Sequence, residues 1–456
     1  MKKFITERAF YATVLAITVP VALQNLIVFG VSMTDTIMLG RMGDIQLSAS
    51  AQANQPGFVF QLLVFGLAGG GSVLASQYYG KGNMEAVRRV IGIVLRIAII
   101  SSLILSVSVF IFPEQIMSFY IKTDTAEGQL ILSEAVKFLK IIAFSYFFFG
   151  ITVAFATIIR SVEIVKVSVV VSAMSFVINV IFNWIFIFGN LGAPALGIRG
   201  SAFGTLIARI FEFCALLIYA GFIDKKLKFS LKYIFKRDKR LSADFVKYSL
   251  PVVANELAWS CGITLQAAIL GKLSNEILAA NSIAMVLQQL ATIIIFGVAS
   301  AATVIVGKKI GENNLEGARN AGSTFMVWSI ILGAVGSLTI LLLRKPFVSI
   351  YNIEPQTRAL AENLLIITSV IVFFISIAAT SIVGVLRGAG DTKFALKLEL
   401  VTLWCVAVPL GSIFGFIFKA PILLTYAFLK IDEPIKSLIA YIRTSKESTY
   451  RSVTRD

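Results

Sequence analysis

Histidine is absent from the 456 residues, and cysteine occurs only three times. Without histidine there can be no Ser-His-Asp triad, no HExxH zinc site and no haem held by an axial imidazole. Cys214, Cys261 and Cys405 are widely separated inside predicted helices, so they form neither a disulfide framework nor a metal site. They read as small apolar packing residues. No GxxxxGK[ST] phosphate loop occurs, since Gly80-Lys81-Gly82 lacks both the preceding spacing and the hydroxyl. That argues against ATP-driven work within this chain. With no paired catalytic carboxylates either, an enzyme is the least favoured reading, and no cofactor is expected.

Charge is scarce and one-sided. Only 14% of residues are charged, with 41 Lys and Arg against 25 Asp and Glu, a net of +16. What fills the chain instead is apolar: 57% of residues are hydrophobic and the mean hydropathy is +0.86. A soluble domain of this size cannot bury so much apolar surface, whereas a bilayer solvates it. Apolar runs recur from Tyr11 to about Ile442, most near the roughly 20 residues that cross ~30 Å of hydrocarbon. Backbone exposed to lipid must satisfy its own hydrogen bonds, so these runs are expected to be helices.

Twelve spans are expected, at about 12–36, 48–74, 89–112, 135–158, 164–188, 200–222, 245–270, 278–303, 321–343, 361–385, 395–417 and 420–441. The last is interrupted by Asp432, Glu433, Pro434 and Lys436. The apolar run after Met1-Lys2-Lys3 continues to about Thr34, too long for a cleaved signal, and is read as the first span.

The basic residues explain the net charge without nucleic acid. They gather in the even-to-odd connections (Lys81, Arg88 and Arg89; Arg160 and Lys166; Lys308, Lys309 and Arg319; Arg387, Lys393 and Lys397) and above all in the 224–240 linker. Both ends are basic as well, through Lys2, Lys3 and Arg8 and through Arg443, Lys446, Arg451 and Arg455, while odd-to-even connections such as Glu114, Lys122, Asp124 and Glu127 are mixed. The positive-inside rule then puts both termini and the linker in the cytoplasm, with the chain in a cell (inner) membrane and attracted to anionic lipid.

Sliding the sequence on itself by 231 residues exposes a repeat. Pro20 meets Pro251, Leu39-Gly40-Arg41 meets Leu270-Gly271-Lys272, and Phe65-Gly66-Leu67-Ala68 meets Phe296-Gly297-Val298-Ala299. Gly80-Lys81-Gly82-Asn83-Met84-Glu85 meets Gly311-Glu312-Asn313-Asn314-Leu315-Glu316, with Arg88 on Arg319. An even number of spans per copy gives both the same orientation, so the repeats are expected to be related by an axis along the membrane normal. The expected organisation is a six-helix lobe at 1–223, a basic cytoplasmic linker at 224–240 and a second six-helix lobe with a basic tail at 241–456.

With those residues in view, the chain resembles the multidrug and toxic-compound extrusion (MATE) family. The likeness rests on Pro20-Val21-Ala22-Leu23-Gln24-Asn25, Asp35-Thr36-Ile37-Met38-Leu39-Gly40, the Gly80–Arg89 segment and Leu386-Arg387-Gly388-Ala389-Gly390-Asp391-Thr392-Lys393. The resemblance implies an all-α membrane protein of twelve transmembrane helices in two six-helix lobes. It implies an antiporter that expels small organic, often cationic compounds by alternating access, with a proton or sodium as coupling ion and the monomer as working unit. A flippase for a lipid-linked saccharide is the runner-up; such a protein is expected to line its cavity with Arg and Lys, where this chain places acids. A receptor without transport gains no support from the repeat.

Intramembrane carboxylates are costly, roughly 2.5–3.5 kcal/mol each on insertion scales, and so mark function. Asp35, near the end of the first span, can carry a proton or, with neutral oxygens beside it, hold sodium. Asn179 and Asn183 stand one turn apart on one helix face. With Asp35 and Thr205 they resemble the family's N-lobe cation site, although one branch has Asp at the position of Asn183. Glu256 is the second intramembrane acid, repeat mate of Asn25, while Asp35 is matched by Gln266. In the NorM-like branch the corresponding Glu falls where this chain has Trp259, and its span 10 Asp has no counterpart here. Glu256 is therefore expected to attract a cationic substrate in the central cavity, with Gln24, Asn25, Asn255 and Gln266 as further polar lining. Pro20 and Pro251 are expected to kink their helices as hinges, and Gly66, Gly69, Gly70 and Gly71 permit close packing.

Overall fold

The computed structural model describes residues 4–121 and 124–455, and of Asn275 the backbone alone; Lys2, Lys3 and Lys122 of the charge pattern lie outside the described residues. Among the described residues every regular element is helical, the arrangement a bilayer allows to lipid-facing backbone. Among the described residues ten helices are long and apolar enough to cross a membrane: Arg8–Gly40, Asp44–Gly80, Met84–Ile111, Ala126–Arg160, Lys166–Phe188, Ile198–Ile223, Glu276–Gly311, Leu315–Val348, Pro355–Leu386 and Thr392–Ile417. They stand at ten of the twelve expected spans, and most run several residues past the expected ends because the helix continues into its polar flanks. The seventh position is filled by the 35-residue helix Lys239–Leu273.

The twelfth is broken. Ile422–Leu429 and Asp432–Thr444 are separate helices. Pro434 falls in the first turn of the second piece, where its missing N–H is tolerated, and it leaves the Lys430 carbonyl without an i+4 donor. Pro56 does the same early in Gln55–Gly80, just past a break at Asn54. Pro20 and Pro251 instead lie inside uninterrupted helices. Three π-helical stretches, Thr380–Leu386, Leu400–Ala407 and Ile413–Ile417, interrupt the C-terminal helices. Two of them border inward-reaching charges, Arg387 and Glu399, a common setting for widened turns.

Packing divides the chain into two compact units: Met1–Ala22, Ser72–Val87 and Asp244–Asp456 form one (the C-unit), and Leu23–Gly71 with Arg88–Ala243 form the other (the N-unit). The chain passes between them two residues after Pro20 and directly after the Gly69-Gly70-Gly71 run.

Within the C-unit the repeat-mate glycines Gly80 and Gly311 make reciprocal contacts. A Cβ on Gly80 would overlap the Lys308 carbonyl, and one on Gly311 would overlap the Gln77 carbonyl. Gln77 also holds the tail: its Oε1 accepts from Val453 N at 2.8 Å, and its Nε2 donates to the Gly388 carbonyl at 3.2 Å. Arg455 then grips Asp244 with two bonds of 2.6 and 2.7 Å.

In the linker, Asp238 accepts from the Leu241 backbone N–H at 3.0 Å and from Arg89 at 3.0 Å, capping the helix that starts at Lys239. The Leu241 bond, aided by Arg89, holds its carboxyl below the usual carboxylate range. Such a depressed group stabilises the fold above the ordinary carboxylate pKa, and that contribution fades as pH falls through the lowered native value. Asp238→Ala is expected to cost about 1 kcal/mol at neutral pH. Melting curves of the purified protein should show the deficit at pH 7 and the two proteins converging in acid; a deficit independent of pH would refute the carboxylate's part.

Candidate functional site

The N-unit gathers four of the residues singled out in the sequence. Asn183 Nδ2 donates to Asp35 Oδ1 at 2.5 Å and lies 3.2 Å from Asn179 Oδ1. Asn179 Nδ2 in turn donates to Thr205 Oγ1 at 3.3 Å. Three helices supply this row: Arg8–Gly40, Lys166–Phe188 and Ile198–Ile218. Asn179 and Asn183 are one turn apart on the middle one, which is why their amides stack in line. Both are buried, and Asp35 is half-buried. The close approach depends on Gly204, where a Cβ would overlap Asn183 Oδ1. That oxygen is itself buried with no hydrogen-bond partner. A carboxylate, two amides and a hydroxyl are therefore joined in one hydrogen-bonded row, and their oxygens are of the type that binds a proton or a small hard cation.

Beyond Thr205 the polar row continues around a cavity of about 30 Å³ lined by Ser172, Ser175, Asn179, Thr205, Arg209 and Glu212 together with apolar side chains. That volume admits water and excludes an organic solute. Glu212 accepts from Arg209 at 2.7 Å and from Ser172 at 3.3 Å. Gln24 lies 3.4 Å from Ser172 Oγ and accepts from Arg160 at 3.1 Å. Arg209 and Glu212 were not singled out in the sequence. Their signal was present, an acid and a base one turn apart in an otherwise apolar span.

The C-unit holds Asn255, Glu256 and Gln266 on Lys239–Leu273. Glu256 is bonded to Arg387 at 2.7 Å, so the acid expected to face a cationic substrate is already neutralised by a cation. Asn255 is buried and its Oδ1 has no partner. Gln266 sits on the break of the last span, donating to the Leu429 carbonyl at 2.5 Å and accepting from Lys430 at 2.8 Å. It thereby satisfies a carbonyl at the break, because the Glu433 N–H four residues on turns to the Lys430 carbonyl instead. Asn25 is half-buried in the N-unit. A second cluster, unforeseen as such, surrounds Lys436, whose ammonium faces Glu433, Glu399 and Asp432 at 3.0, 3.2 and 3.4 Å. Among the described residues no group of His, Cys, Asp and Glu forms a metal site.

An all-helical array of apolar spans with polar rows inside each packing unit defines a multi-pass membrane protein. The MatE family model matches residues 20–185 and 251–413, so the chain belongs to the MatE family, and the two matches begin at the prolines that the repeat superposes. Among curated relatives, the "Probable multidrug resistance protein NorM" of Thermotoga maritima is 25% identical over 405 residues, covering 87% of this chain and 84% of that one. The "Uncharacterized transporter YisQ" of Bacillus subtilis is 23% identical over 437 residues, covering 94% and 92%. Among solved structures, a mutant of the Vibrio cholerae MATE transporter VcmN shares the fold with a TM-score of 0.87 at 14% identity, covering 98% of both chains.

Proposed function

We propose that the protein is a cation-coupled antiporter that exports organic, cationic or amphipathic compounds by alternating access. The observation that carries this reading is the Asp35–Asn183–Asn179–Thr205 row, a partly buried acid tied through amide N–H groups to neutral amide and hydroxyl side chains inside one packing unit. Such an acid changes its affinity for a proton or sodium when its surroundings open or close. The name of the Thermotoga relative, a probable multidrug resistance protein, supports an organic cargo. Pro20 and the Gly69–Gly71 run stand where the chain crosses between units, and these are the points expected to absorb backbone rotation. Reconstituted vesicles under imposed proton or sodium gradients, tested with a panel of fluorescent cations, decide the matter. Uphill export driven by one gradient supports the reading, and export indifferent to both removes it.

The proposed setting is the inner membrane, with both termini and the 224–240 linker in the cytoplasm and the monomer as working unit. A cysteine placed in the linker should be labelled by an impermeant thiol reagent only in inverted vesicles. Labelling in intact cells would reverse the orientation.

A further inference from the structure

Past the break in the last span, Lys436 meets three carboxylates, and all four side chains are buried: Glu399 and Lys436 and Asp432 at 3% exposure, Glu433 at 9%. One ammonium against three carboxylates leaves two negative charges in excess. Lys430, which bears on Asp432 and Glu433, removes one. Glu256 bears on Glu399 but is already paired with Arg387 at 2.7 Å. Asp391 and Arg443, nearby on the same helices, neutralise each other at 2.7 Å. On the remaining helices packed against this one, Lys393, Lys397, Glu354, Arg358, Glu316 and Lys345 are exposed, Glu362 and Arg344 are half-buried, and Arg319 pairs with Glu447. The buried account closes on one uncompensated negative charge, a state that burial strongly disfavours. A separate observation points to the same place: Asp432 Oδ1 is buried and has no hydrogen-bond partner. One proton answers both, supplying the missing charge and giving the cluster a donor.

We infer that the C-unit holds its own single-proton site, with one proton shared among Asp432, Glu433 and Glu399 around Lys436. Sodium is the poorer occupant. It needs several converging oxygens, whereas here the ammonium of Lys436 occupies the centre of the carboxylates. The inference rests on charge balance inside the C-unit and stands whether or not Asp35 couples transport.

The test is infrared spectroscopy of the full-length protein, purified in detergent as the Asp35→Asn variant so that the N-unit acid is silent. Spectra at neutral pH minus spectra at strongly alkaline pH should contain one protonated-carboxyl band. Glu399→Gln, Asp432→Asn and Glu433→Gln, each added singly, should all abolish it, because neutralising any one acid balances the cluster. Should one variant fail to fold, as judged by melting, the other two decide. Absence of the band in the parent, or a band untouched by the substitutions, overturns the site. A band lost in one variant alone overturns the sharing, and a band lost when sodium replaces choline at fixed pH overturns the proton.

Discussion

Replacing Asp35 by Asn is expected to leave a protein that folds, reaches the membrane and no longer exports against a gradient. Asn keeps the size of the side chain and accepts the same hydrogen bond from Asn183 Nδ2 that Asp35 Oδ1 takes at 2.5 Å. What it removes is the charge that a proton or sodium must meet. For a cargo with no net charge, one coupling charge crossing 100 mV is worth about 2.3 kcal/mol, which sustains a cargo ratio of roughly 50 across the membrane. In the variant that ratio should collapse to about one, read as dye accumulation in energised cells or proteoliposomes with membrane expression measured in parallel. A well-expressed Asp35→Asn protein that still holds the wild-type ratio sinks the coupling proposal and moves attention to the carboxylates of the C-unit.

The second large effect falls on stability. Lys436→Met leaves Glu399, Asp432 and Glu433 facing one another in a buried site, with Lys430 as a remaining cation bearing on Asp432 and Glu433. Removing one partner of a buried ion pair typically costs about 3–5 kcal/mol, and here three acids lose the same partner. The variant should melt well below the wild type in detergent and accumulate poorly in membranes. Adding Glu433→Gln should restore part of the loss, since it removes one of the stranded charges. An unchanged melting temperature in Lys436→Met would mean that water already screens the cluster.

The fold was readable because the bilayer imposes a coarse rule, some 20 apolar residues per crossing, and the chain obeys it openly. The repeat was readable because prolines, glycines and the Asn-Glu-Arg pattern recur at one offset. The N-unit row was partly readable: the Asn179–Asn183 spacing shows a shared face, but the reach of Asp35 across 148 residues to Asn183 is a tertiary fact. The C-unit was harder. Asp432, Glu433, Pro434 and Lys436 looked like an interruption of a span, and they are one, but the charges turn inward to Glu399 instead of outward to water. Nothing local marks that turn. Nor does composition show that Arg387, read as a topological signal, would reach Glu256 across 131 residues.

The reciprocal seating of Gly80 and Gly311 bears on how the protein is made. The chain emerges from the ribosome N-terminus first, yet residues 4–22 and Ser72–Val87 pack in one unit with the residues from Asp244 onward. The N-unit has all its residues once synthesis passes Ala243 and is free to assemble early. Those two earlier segments must wait in the bilayer with a glycine groove uncovered until the second glycine-bearing helix arrives. A chaperone or insertase that shields these two segments during that interval would act on the stretches that the order of translation leaves without their unit.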